Sequence, residues 1–284
     1  MPESKHMRAD AYLFATGHTR SRQRARELIE AGIVTIDGRR VAKPSEQVDA
    51  ALAHDVVILQ VERYVSRGGL KLEAALRHFN IDVSGMMAVD IGASTGGFTD
   101  CLLQHGAARV IALDSGSGQL AGSLRADPRV FCIEKFNARR LCEGDTGPIP
   151  SGTKADIVTM DVSFISQTYI IPGLKNILRD KGYFISLIKP QFEAGWVAVG
   201  RRGIVRDKKY HLSAIKKVVE CAGLSGFGCL GVIRSPIAGG EGNIEYLAAF
   251  MLGGNYAPPD DITLKNLISN GQNADTATSG GDFT

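Results

Sequence analysis

Apolar residues recur in two rhythms along this chain. Beyond residue 85, short apolar runs at 86–91, 110–113, 156–160, 183–188, 231–235 and 244–250 read as buried strands. Between them, apolar positions at helical spacing predict helices over 70–79, 98–104, 167–179 and 208–222. Strands alternating with helices predict a doubly wound, Rossmann-like α/β domain with a largely parallel sheet. The first sixty residues differ. A helix over 8–16 stops at Gly17, and a second over 22–31, capped by Thr19 or Ser21, stops at Gly32. A strand at 33–36, an Asp37-Gly38 hairpin turn, a return at 39–41 and a strand at 55–62 complete a small α+β unit. The tail, rich in Pro, Asp, Asn, Gly and Ser, reads as flexible. The expected organisation is 1–62 as one domain, 63–69 as linker, 70–254 as the α/β domain and 255–284 as tail.

Composition changes this picture little. The five cysteines are scattered with no C-x-x-C pair, so neither a disulfide framework nor a metal site is expected. The longest apolar runs fall short of a membrane span, and the charged start lacks an apolar leader core, so a cytoplasmic protein without membrane partners is expected. The net charge is only +3, so nucleic-acid binding would have to come from local patches.

The most informative stretch runs from Asp90 through Gly92, Ala93, Ser94, Thr95, Gly96 and Gly97 to Phe98. Strand, glycine turn and helix let a backbone approach a nucleotide-like ligand closely. The order Gly-x-x-x-Gly-Gly is neither a P-loop nor the dinucleotide fingerprint. Asp90, placed just before the loop, would repel a pyrophosphate and suit a cationic amino group. Asp114 closes the next strand where such folds place a ribose-binding acid. S-adenosylmethionine (SAM) has the amino group, the sulfonium and the ribose diol for this pair. A plain tight turn is the bland alternative.

In the small domain, Arg20, Arg22, Arg24 and Arg26 open the second helix with no acid before Glu27. Cations there oppose the helix dipole, and phosphate contact is the ready reason, although charge runs are more often solvated faces. Arg39, Arg40 and Lys43 add charge from the hairpin. Arg8, the Ser21-Arg22-Gln23 stretch, Ala25, Leu28-Ile29, Gly32, Val34, Ile36-Asp37-Gly38, Val41 and Lys43-Pro44-Ser45 carry a resemblance to S4-type RNA-binding domains. The resemblance implies that the arginine-rich helix binds structured RNA.

In the larger domain, Asp90, Asp114, Asp161 and Lys189 all fall at strand carboxyl ends, where chemistry collects in such sheets. Glu245 opens the last strand and reaches the same rim if that strand runs antiparallel. A lysine ending an apolar strand is costly unless paired, so a merely structural Lys189–Asp161 ion pair is the alternative. Lys71 alone would read as a surface lysine. Four segments resemble the FtsJ/RrmJ-type ribose 2′-O-methyltransferases: Ser66-Arg67-Gly68-Gly69-Leu70-Lys71-Leu72, Asp161-Val162-Ser163-Phe164-Ile165-Ser166, Leu187-Ile188-Lys189-Pro190-Gln191-Phe192-Glu193 and Gly242-Asn243-Ile244-Glu245. The resemblance implies a Lys71, Asp161, Lys189, Glu245 tetrad beside SAM, and places Asn137 near the adenine. With the S4-type module in front, residues 8–253 resemble the TlyA family, whose members methylate cytidine 2′-hydroxyls of ribosomal RNA and often carry the name haemolysin. One departure is Ser117, where the family has an aromatic residue; it would weaken the adenosine side of the cofactor site.

The resemblance implies that Lys189 takes the proton of the ribose hydroxyl, with Lys71 and burial favouring its neutral form and Asp161 holding it in place. Glu245 orients Lys71 or the ribose. The expected partner is ribosomal RNA within ribosomal subunits, met by a monomer, with no metal. The rivals are a non-catalytic ribosome assembly factor, a cytolysin, for which the chain shows no long amphipathic membrane helix, and a small-molecule methyltransferase, which would not need the arginine helix.

Overall fold

In the computed structural model, residues 6–30, 32–58, 63–147, 149, 152, 154–200, 203–239, 242–270 and 274–275 are described. The chain divides into two units, Met1–Arg63 and Tyr64–Thr284.

In the first unit, β1 (His6–Arg8) leads into α1 (Ala9–Ala15), then α2 (Arg22–Glu30), β2 (Val34–Ile36), β3 (Arg39–Arg40), β4 (Gln47–Asp49) and β5 (Val56–Ile58). The Ser21 hydroxyl accepts from Arg24 N at 3.1 Å and so caps α2. Asp37 and Gly38 both take positive φ, as a two-residue hairpin turn requires, and Ile36 pairs with Arg39 across it. The sheet order is β3-β2-β5, with β1 pairing β4 separately. Tyr12, Leu13, Leu28, Ile29 and Val34 form the core. Of the strand expected over 55–62, residues 59–62 lie outside the described residues, as does Ala31 at the end of the second helix.

The second unit contains α3 (Gly68–His78), β6 (Met87–Ile91), α4 (Gly97–Gln104), β7 (Arg109–Leu113), α5 (Gly122–Arg125), β8 (Val130–Ile133), β9 (Ala155–Met160), β10 (Leu178–Ile188), α6 (Pro190–Glu193), α7 (Lys208–Leu224), β11 (Phe227–Arg234), β12 (Tyr246–Leu252), α8 (Asp261–Asn270) and β13 (Ala274–Asp275). The sheet runs β13-β11-β12-β10-β9-β6-β7-β8. Strands β6 to β10 are parallel, whereas β12 is antiparallel to both β10 and β11. Successive strand residues enter opposite cores: Val89, Ile111 and Val158 face one, Ala88, Val110 and Ile157 the other. This is why the strands read as continuous apolar runs. Among the described residues, no helix is long and apolar enough to cross a membrane.

The structure differs from the sequence expectation in four places. Residues 167–176 form two 3-10 turns, Gln167–Tyr169 and Ile171–Asn176, instead of one α-helix. Pro172 lacks an N–H, and a Cβ on Gly173 would lie 2.5 Å from the Leu141–Cys142 backbone, so the segment packs as a tight layer. Strand β8 was not evident from the pattern because it is a sheet edge with Phe131 47% exposed. Gly68 and Gly69, expected in the linker, form the first turn of α3. Within the tail expected to be flexible, Asp261–Asn270 is helical and buries Leu264, Leu267 and Ile268 in the main core. That apolar spacing is sparse, and only the core it covers makes it a helix; residues 271–273 and 276–284 lie outside the described residues.

Candidate active site

Parallel strands end at one rim of the sheet, and the residues following β6, β9 and β10 meet there. A cleft of about 270 Å³ is lined by Ser66, Arg67, Gly68, Lys71, Gly92, Ala93, Ser94, Thr95, Phe98, Asp161, Ser163, Lys189, Ala238 and Gly239. Glycine is required in its floor. Gly92 has φ +81°, and a Cβ there would stand 2.4 Å from the Asp161 carbonyl oxygen. A Cβ on Gly97 would lie 2.2 Å from Ser66 Oγ and 3.0 Å from Gly69 N, so the starts of α3 and α4 touch only because both are bare backbone.

The four tetrad residues form two ion pairs. Lys71 Nζ donates to Glu245 Oε2 at 2.5 Å, with both side chains at most 10% exposed. Lys71 is therefore a buried wall residue; α3 turns it inward. Lys189 Nζ lies 2.6 Å from Asp161 Oδ1 and donates to Ser163 Oγ at 2.8 Å. The Asp161 contact is an ion contact without hydrogen-bond alignment, since Oδ1 has no aligned donor. The antiparallel course of β12 brings Glu245 to the rim, because Tyr246 pairs with Ile188.

Asp90 lies beneath the cleft instead of on its surface. It is fully buried, and its two carboxylate oxygens accept from Thr99 Oγ1 at 2.7 Å and Thr159 Oγ1 at 2.8 Å. Burial lifts its carboxyl to about 6 despite these bonds. It ties the loop, α4 and β9 together beneath the cleft. Asp114 does stand at the end of β7, accepting from Ser94 N at 2.8 Å and Gly116 N at 2.7 Å. Two lone pairs remain on that carboxylate for a ribose diol. The glycine-floored loop and Asp114 thus fit SAM. Asn137 is exposed and its side chain accepts from Arg139 N, capping the 3-10 helix Ala138–Glu143. Neither it nor Asp90, Gly96, Gly97, Asp114 or Glu245 lines the cleft itself; Asp114 adjoins it through its bond to Ser94 N. Ser117 is exposed, and the loop beside it is fastened by Ser94 Oγ donating to Gln119 at 3.1 Å.

Residues 64–252 match the FtsJ-like methyltransferase family and residues 7–56 match the S4 domain. The chain belongs to the FtsJ-like methyltransferase family. It is 44% identical over 243 residues, 86% of this chain and 89% of the other, to the 16S/23S rRNA (cytidine-2′-O)-methyltransferase TlyA of Mycobacterium tuberculosis. It is 43% identical to Hemolysin A of Brachyspira hyodysenteriae, over 87% of this chain and all of that one. A solved structure from Streptococcus thermophilus, described as a hemolysin, superposes with a TM-score of 0.71 at 39% identity, covering 94% and 96% of the two chains. FtsJ-like membership agrees with the SAM-shaped features of the cleft.

In the S4 domain the arginines divide. Arg8 and Arg22 contact Asp10, at 3.0 and 3.3 Å, and Arg8 in particular holds that buried carboxyl below its usual range. Arg24 pairs with Glu27 at 3.0 Å and Arg39 with Glu46 at 3.2 Å. Arg20, Arg26, Arg40 and Lys43 are exposed. Asp10 gave no signal in sequence, since an acid in a first helical turn is commonplace. Phe164 was also missed. It is 92% exposed at φ +63°, with its ring 5.1 Å from that of Phe192, whose ring lies 5.9 Å from Lys189 Nζ. A bulky residue at positive φ is strained, and such strain gathers at functional sites.

Proposed function

We propose that this protein methylates the ribose 2′-hydroxyl of cytidine in ribosomal RNA, using SAM, with Lys71, Asp161, Lys189 and Glu245 as its catalytic residues. The observation that carries the catalytic assignment is the convergence of two lysine–carboxylate pairs beside a glycine-floored cleft. The similarity to the mycobacterial TlyA supports cytidine in ribosomal RNA as the substrate.

When bound, SAM supplies a methyl group on a positively charged sulfur, open to displacement by oxygen. Asp114 and the 92–97 loop hold its nucleoside end. Lys189 accepts the proton of the 2′-hydroxyl, and Asp161 keeps its amine at the cleft wall. Lys71 places a second ammonium group on the wall of the same cleft. Glu245 orients Lys71. Alignment of the hydroxyl accounts for much of the acceleration. The Phe164–Phe192 pair offers an aromatic face to a base swung out of its stack. Arg20, Arg22, Arg24, Arg26, Arg39, Arg40 and Lys43 supply phosphate contacts from the S4 domain, with Arg8 braced on Asp10. The enzyme works as a cytoplasmic monomer on ribosomal subunits.

The test is transfer of tritiated methyl from SAM to separate unmodified ribosomal subunits, with mapping of the labelled ribose. Label at cytidine 2′-oxygens that is lost in Lys189→Ala, with SAM binding retained, supports the proposal. SAM binding without transfer to either subunit favours a non-catalytic assembly factor.

A further inference from the structure

We infer that Ser163 is a positioning residue for Lys189, holding one Nζ–H so that the lone pair of the amine faces the ribose hydroxyl. This rests on the reading of Lys189 as the proton acceptor. A neutral primary amine carries two N–H bonds and one lone pair, in three directions set by rotation about Cε–Nζ. The aligned hydrogen bond of Lys189 goes to Ser163 Oγ at 2.8 Å, whereas Asp161 Oδ1 at 2.6 Å is a close but unaligned contact. Asp161 alone therefore does not fix the rotor. Ser163 fixes one direction, and the Asp161 carboxylate beside Nζ repels the lone pair from its own side, so the lone pair is left to face away from both. A rotation of about 120° would replace it with an N–H and end proton transfer. The hydroxyl accepts this bond without adding a second carboxylate beside Nζ.

The placement of Ser163 is built in. It lies on the exposed turn after β9, yet that turn is clamped from below. Ser166 Oγ donates to Glu193 Oε2 at 2.5 Å, and Gln167 N donates to Glu193 Oε1 at 2.8 Å. Glu193 is buried on α6, the same short segment that begins beside Lys189. Lys217 Nζ reaches the Ser166 hydroxyl at 3.0 Å and closes the cluster. One buried carboxylate thus sets the turn carrying Ser163 against the segment carrying Lys189. During the reaction the 2′-hydroxyl proton moves to Lys189 Nζ and becomes its third N–H, along the direction Ser163 left open.

The experiment uses the full chain, SAM and unmodified ribosomal subunits. Ser163→Ala is expected to lower kcat about tenfold, the scale of one lost hydrogen bond, with KM for the subunit and the SAM Kd unchanged. Ser163→Thr, which keeps the hydroxyl, restores kcat. Wild-type kcat in Ser163→Ala, or an equal loss in Ser163→Thr, overturns the inference. So does weakened SAM binding in Ser163→Ala, which would place the residue in the cofactor site. Retained turnover in Lys189→Ala overturns the base assignment and this inference together, whereas its loss there isolates the Ser163 result.

Discussion

Lys71 and Glu245 lie 174 residues apart in sequence and form a 2.5 Å hydrogen bond at the wall of the cleft. Neither makes sense alone. A lysine on α3 would be a solvated residue, and Glu245 at 2% side-chain exposure would be an unpaired buried charge. Glu245→Ala should therefore destabilise the second unit by about 3 kcal/mol in urea unfolding, because it strands Lys71 in a low-dielectric wall. Glu245→Gln should cost less. An unchanged midpoint in Glu245→Ala would show that Lys71 simply turns to solvent.

Asp90 gives a pH signature. Burial raises its carboxyl from 3.8 to about 6 in the folded protein. Between about pH 4 and pH 6 the native state keeps a proton that the unfolded chain has lost, so stability falls as pH rises through that window. Above about 6 the full cost is present. Asp90→Asn has no such titration and can still bond both threonines. Relative to the variant, the wild type should lose up to roughly 3 kcal/mol across the window, read from denaturation midpoints at several pH values. A pH-independent difference would remove Asp90 from the account.

The split among the arginines predicts two kinds of defect. Arg26→Ala should weaken RNA binding and reduce the salt slope by about one, with the fold untouched. Arg22→Ala removes a partner of Asp10, so it should also lower the melting temperature of the S4 domain. Filter binding at several salt concentrations, alongside thermal melts, separates them. Identical melts for the two variants would show that the Asp10 cluster is not structural.

Phe164 should act on substrate and not on stability. Its side chain is 92% exposed, so Phe164→Ala removes little packing. A lost base stack should lower kcat/KM on ribosomal subunits about tenfold or more. Unchanged kinetics would mean that its aromatic face meets no base.

Much of this protein was legible in sequence. Strand ends are marked by where an apolar run stops, so Asp114, Asp161 and Lys189 could be assigned to one rim of a parallel sheet. The Asp37-Gly38 turn and the Ser21 cap are local chemistry, fixed by positive φ and a single hydroxyl. Motif resemblance supplied the tetrad as four positions. Tertiary structure decided the rest, because burial and pairing are not local properties. That Asp90 is fully buried and bonded to Thr99 and Thr159 is visible only in the fold. The stretch after Ser166 has helical composition, yet packing of Gly173 against the Leu141–Cys142 backbone holds it in tight 3-10 turns. The 261–270 segment becomes a helix only because a core face needs covering. Only the fold pairs Lys71 with Glu245 and sets Ser163 beside Lys189, since each contact joins elements that sequence spacing leaves unrelated.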